Sequence, residues 1–187
     1  MKNKFTLILF NLFLIASVFA QKNESPIQFW VNGGAGQSLS DAFTKTPGLV
    51  AGAGFAVSHK QQLASLQLNH FWETNMGDKM QGDFNEWKIQ YGWIHTKKRD
   101  QFYITGGLGY SECNHFREVY NGGDGMSVQK DWTTQTAFGF VAETGVNFIF
   151  NDHIGIGVAT FANFNKNALT AGYRVNILLG LFKNYKK

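Results

Sequence analysis

Three charged residues stand where charge is least expected. Glu143 lies within the mostly small and apolar run Phe138 to Phe150, Arg174 within Leu169 to Leu181, and Lys88 between Trp87 and Ile89. A charge taken out of water is costly unless it is paired, so an ion pair is expected, with Glu143 and Arg174 in contact and Lys88 on the same inward wall nearer the outer end. Other chemistry is sparse. The text His70-Phe71-Trp72-Glu73 sets an imidazole beside no serine, and a serine nucleophile needs a base within hydrogen-bond reach. His59, His95 and His153 show no metal-ligand spacing,. The one cysteine, Cys113, leaves no internal disulfide,. No catalytic, cofactor-binding or metal-binding residue is assigned. A second candidate is the long excursion from Glu112 to Trp132. It contains Asn121-Gly122-Gly123-Asp124-Gly125, a tight-turn composition,. Its flanks, 112–120 with Glu112, Phe116 and Tyr120, and 126–132 with Trp132, could continue the adjoining strands as a projecting hairpin, a candidate interaction surface,.

The elements that must hold these residues are strands. Past residue 26 the hydrophobic period is two almost everywhere, and no helical stripe competes with it,. Eight strands are predicted, over roughly 27–38, 48–58, 62–74, 85–97, 100–114, 133–150, 153–163 and 167–182,. In the sixth, one face reads Phe138, Phe140, Ala142, Thr144, Val146, Phe148 and the other Ala137, Gly139, Val141, Glu143, Gly145, Asn147. In the eighth, Leu169, Ala171, Tyr173, Val175, Ile177, Leu179 oppose Thr170, Gly172, Arg174, Asn176. One face is bulky and apolar; the other is small and polar. The small face suits the inside of a narrow barrel, where eight strands leave room only for side chains. The bulky face then meets lipid, and a closed barrel satisfies every backbone polar group there. A secreted lipocalin-like ligand-binding barrel is the soluble alternative; its apolar residues would line a cavity instead.

Connections and composition agree with that reading. Short connections (58–61, 98–100, 151–152) alternate with longer ones (40–47, 75–84, 112–132, 163–167), as when one rim carries tight turns and the other carries loops,. The 187 residues suit one domain, and 21 Gly, 2 Pro and 16% aromatic residues fit closely packed strands,. The start, Met1-Lys2-Asn3-Lys4 followed by a mostly apolar run and Ser17-Val18-Phe19-Ala20, predicts a signal peptide over 1–20, cleaved before Gln21, with the barrel over 21–187,. Beyond it, no stretch approaches the ~18 apolar residues of a spanning helix. The formal charge of +4 falls to +2 when Lys2 and Lys4 are removed, too little and too dispersed for nucleic acid,.

With its alternating strands, its loop asymmetry and a final strand carrying Tyr173, Val175, Ile177, Leu179 and Leu181 in register, the chain resembles the small outer-membrane barrels of the OmpA-barrel and OmpX type. The resemblance implies an all-β, eight-stranded antiparallel up-and-down transmembrane β-barrel in the outer membrane of a Gram-negative bacterium. It implies a lumen plugged by ion pairs instead of an open pore, and a final strand read by the barrel-insertion machinery. It also implies a protruding sheet at 112–132 whose free edge could hold an extracellular protein. The expected role is structural, surface interaction or adhesion, without enzymatic activity or cofactor, as a monomer among outer-membrane lipids and lipopolysaccharide. Some barrels of this size modify lipid A with a His-Ser pair on the outer wall; His70 would face lipid there, which keeps a lipid A-modifying enzyme as an alternative. One rim is expected to hold Asp41, Glu73, Asp78, Asp83, Glu86, Glu112, Glu118, Asp124 and Asp131 against Lys45, Lys79, Arg117, Lys130 and Lys166. The other holds Lys60, Lys97, Lys98, Arg99, Lys183, Lys186 and Lys187.

Overall fold

In the computed structural model, residues 27–40, 47–73, 82–121, 127–166 and 169–182 are described. The expected signal peptide lies outside these residues. Eight strands follow one another in the chain: β1 (Gln28–Ser40), β2 (Pro47–His59), β3 (Gln62–Glu73), β4 (Gly82–Lys97), β5 (Asp100–Asn121), β6 (Ser127–Ile149), β7 (Ile154–Asn165) and β8 (Leu169–Leu181). Each pairs antiparallel with its neighbours, and β1 closes on β8 from Phe29↔Leu181 to Ser40↔Thr170, so the sheet is a closed up-and-down barrel. Closure removes the open edges a flat sheet would present.

Strict alternation dictates the two walls. Outward positions are large and apolar, and they stay uncovered: Ile89 is 69% exposed, Phe138 79%, Phe140 72% and Ile177 62%. Inward positions are buried, and many are polar. The lipocalin-like alternative required the reverse, with apolar side chains gathered round a cavity.

The lumen is layered. At the end carrying the short turns, Trp30, Leu63, Ile94, Tyr103, Ile149, Leu178 and Phe182 form an apolar layer, with the Trp30 and Phe182 rings 5.7 Å apart. At the opposite end Val50, Phe71, Phe84, Cys113 and Phe161 form a second, with Phe71 stacked on Phe84 at 4.1 Å. Polar side chains fill the middle. Glycines on the inner wall make room for them. A Cβ on Gly52 would meet Arg174 Nη1 at 2.6 Å, and one on Gly145 would meet the Tyr103 hydroxyl at 2.6 Å.

One strand boundary departs from the sequence expectation, and one expectation is met. Strand β4 begins at Gly82, earlier than residue 85. The excursion after residue 114 continues as strand, the projecting hairpin its flanks were expected to form: β5 and β6 remain paired to Asn121↔Ser127.

The short turns are tightly specified. Lys60 and Lys98 open the two-residue turns after β2 and β4 with positive φ (57° and 59°). After β6, Asn151 Oδ1 accepts hydrogen bonds from the backbone N–H groups of His153 (2.8 Å) and Ile154 (2.9 Å), a local side-chain turn,.

Candidate functional site

The middle of the lumen is a four-charge cluster. Glu86 and Lys88 come from β4, Glu143 from β6 and Arg174 from β8, and all four are at most 2% exposed. Lys88 Nζ lies 2.9 Å from Glu143 Oε2 and 3.9 Å from Glu86 Oε2, while Arg174 Nη2 lies 3.6 Å from Glu143 Oε1. Two positive and two negative charges cancel. Neutral side chains complete the coordination. Tyr103 Oη (3.0 Å) and Gln67 Nε2 (3.3 Å) donate to Glu143 Oε1. Asn69 Nδ2 (2.8 Å) and Asn163 Nδ2 donate to Glu86. Arg174 donates to Gln67 Oε1 (2.6 Å) and to Asn69 Oδ1. Lys88 Nζ also stands 5.1 Å above the Phe161 ring, within cation–π range,.

Glu143 and Arg174 meet, but the closer partner of Glu143 is Lys88. Register sets Lys88 opposite Gln67 and Gly109, and Glu143 opposite Thr105 and Phe161. The lysine's four-carbon stem spans the difference in level. Glu86 was placed with the outer-rim acids; it is instead fully buried in the cluster. The signal was available, since Glu86 stands two residues before Lys88 and so shares its face. It was hidden by starting the fourth strand at 85. The uncharged members, Gln67, Asn69, Tyr103 and Asn163, are recognisable only once the register is known.

Below the cluster a cavity of about 10 Å³ is lined by Trp30, Asn32, Ser65, Gln67, Tyr103 and Asn176 among others. Roughly one water fits in such a volume. With apolar layers at both ends, the lumen is a packed core. The arrangement can hold buried charge, each ion set against a counter-charge.

The second candidate lies at the loop end. Strand β4 pairs with β5 as far as Gly82↔His115, and β7 pairs with β6 from Gly139↔Asn165. Beyond those points β5 and β6 continue as a ribbon through Phe116↔Trp132 and Tyr120↔Val128. The six residues 116–121 carry it about 20 Å past the end of β4,. Register sets Arg117 opposite Asp131 and Glu118 opposite Lys130, so opposite charges occupy partnered positions, which favours this register,. Glu112 lies below the ribbon in the barrel wall, opposite Asn85 and Thr136. Phe116, Tyr120, Asn121 and Trp132 are placed at backbone level, and Gly122, Gly123, Asp124 and Gly125 lie outside the described residues.

The histidines are dispersed. His70 faces outward near the loop end of β3; its Nδ1 is 2.6 Å from Asn85 Oδ1 and its Nε2 4.0 Å from Asp83 Oδ2. His95 stacks on Trp93 at 5.6 Å, and His153 sits in the turn after β6. Among the described residues no three His, Cys, Asp or Glu side chains cluster as a metal site would need.

No family model and no curated protein matches the chain. Solved structures do. Neisserial surface protein A (NspA) superposes with a TM-score of 0.65 at 11% identity, covering 81% of this chain and 96% of that one. Ail, the attachment invasion locus protein of Yersinia pestis, gives 0.59 at 9% identity, covering 82% and 98%. The outer membrane protein OprG of Pseudomonas aeruginosa gives 0.58 at 11% identity, covering 83% and 96%. All are similar in nearly their full length and dissimilar in sequence, so what they share with this chain is the architecture. A closed eight-stranded barrel with a polar, packed lumen and an uncovered apolar wall is the architecture these structures share, and the chain therefore has the fold of the small eight-stranded outer-membrane β-barrels.

Proposed function

We propose that the chain is a non-enzymatic outer-membrane barrel of a Gram-negative cell that acts by surface contact, through the β5–β6 ribbon. The observation that carries this is the ribbon itself: beyond His115 and Gly139, β5 and β6 pair with each other and with no other described strand. Strand edges of this kind accept an extended segment of another protein by adding it to the sheet. The packed lumen supports contact over transport, since its cross-section is filled by the charge cluster and two apolar layers,. The wall supports a monomer surrounded by outer-membrane lipids and lipopolysaccharide, placed there by the barrel-insertion machinery. Ail is named for attachment and invasion; at 9% identity that name lends only direction, and the ribbon carries the reading.

The test is to trim the ribbon with protease on intact cells, or to replace 116–132 by a two-residue turn, and to measure binding to host matrix and secreted proteins. Loss of binding with the barrel still folded is the expected result. Unchanged binding would remove the ribbon from the mechanism.

A further inference from the structure

The two edges of the β5–β6 ribbon are unequal. At the turn end, Ile149 N–H donates to Arg99 C=O and Phe150 N–H donates to Ile154 C=O, both at 2.9 Å. Odd residues of β6 therefore bond β5 there and even residues bond β7, because both backbone groups of a strand residue point to the same side. The β5–β6 register runs unbroken from Asp100↔Phe148 to Asn121↔Ser127, so this parity holds to the tip. Strand β7 accompanies β6 only to Gly139↔Asn165, and β4 accompanies β5 only to Gly82↔His115. Past those pairs β6 runs on through 127–138 and β5 through 116–121, half as far. Along the longer edge Val128, Lys130, Trp132 and Thr134 turn their backbone N–H and C=O groups toward the track that β7 has left.

The adjoining connection is too short to fill that track. Between Asn165 and Leu169 the chain has three residues and must return to β8. Three residues reach ~10 Å at full extension, while the edge from 128 to 134 is ~24 Å long. What the edge offers an occupant is backbone. Its charges are already matched within the ribbon, Arg117 opposite Asp131 and Glu118 opposite Lys130, and they leave no net charge to select a charged partner. A second copy of the chain fits poorly. In one membrane its β6 would run outward in the same direction and at the same height. The two edges would then meet in parallel with Lys130 level with Lys130 and Asp131 level with Asp131, and like charges directly opposite are destabilising,.

We propose that the β6 edge of the ribbon, and not the β5 edge, captures the partner, by adding an extended, uncharged segment of another protein antiparallel to 128–134 and in line with β7,. The inference rests on the surface-contact reading above and specifies its edge, its direction and the chemistry of its ligand.

Proline separates the edges, since at an edge position whose N–H faces away from the ladder it removes one donor and leaves the ladder intact. The full barrel in nanodiscs is titrated with a labelled peptide of alternating threonine and valine, about as long as the 128–134 edge. Thr134→Pro is expected to weaken binding about tenfold, while Thr134→Val, which keeps the N–H, and Tyr120→Pro, on the β5 edge, leave it within about twofold. Should Thr134→Pro fail to fold, Lys130→Pro carries the same expectation nearer the tip. Unchanged binding by the folded β6-edge proline variant, an equal loss in Tyr120→Pro, or no binding of the peptide by wild type overturns the proposal. So does a dimer in detergent that Thr134→Pro dissolves, which would assign the edge to a second copy. Failure of the surface-contact reading is a separate result: peptide binding at the β6 edge together with unchanged binding of matrix and secreted proteins after removal of the ribbon.

Discussion

At the scale of single residues, the costliest feature is the buried charge cluster. Each of its members is held by several others, so removing one leaves a charge without water and without a counter-charge. Glu143→Ala strips Lys88 and Arg174 of their shared carboxylate and is expected to lower stability by about 3–5 kcal/mol, measured by urea unfolding in micelles,. A double-mutant cycle sharpens this. Coupling between Glu143 and Lys88 should exceed that between Glu143 and Arg174, in keeping with 2.9 Å against 3.6 Å,. Equal or vanishing couplings would contradict the geometry. The face occupied by each of these charges was legible from alternation alone. The identity of the pairs was not, because a lysine on one strand meets a glutamate two strands away at a level that only the stagger determines.

Elements show the same division. The short turns are local objects written by local residues. Asn151 receives two backbone N–H groups and sets the β6–β7 corner. Asn151→Ala should therefore cost about 1 kcal/mol, read as a shift in the unfolding midpoint with unchanged slope. The β5–β6 ribbon is the opposite case. Its composition allowed a projecting hairpin, but how far the ladder runs, to Asn121↔Ser127, is set by cross-strand pairing with opposite charges at partnered positions,. Beyond His115 and Gly139 the ribbon has no further strand neighbour among the described residues. It is also the kind of strand that remains available to a partner.

For the whole molecule, the decisive property is that the apolar side faces out. Ile89, 69% exposed on the outer wall, lies well within the apolar band. Ile89→Arg is expected to cost about 2–4 kcal/mol in a bilayer, where the charge must leave water, and close to nothing if the wall were solvated. Unfolding in lipid vesicles measures it. The folded barrel should also migrate differently on a detergent gel before and after boiling; identical mobility, with release into the soluble fraction, would argue against the membrane setting.

The sequence by itself determined the strand count, the antiparallel up-and-down order and the two unlike walls. These follow from a period of two and from connection lengths, both of which are local properties of the chain. It also marked Glu143, Arg174 and Lys88 as charges in need of partners. Tertiary structure alone decided that Glu86 joins them, that Gln67, Asn69, Tyr103 and Asn163 complete the cluster, and that His70 meets Asn85 and Asp83. Those residues are drawn together by cross-strand register, which depends on every strand around the closed barrel, and no window of sequence contains it.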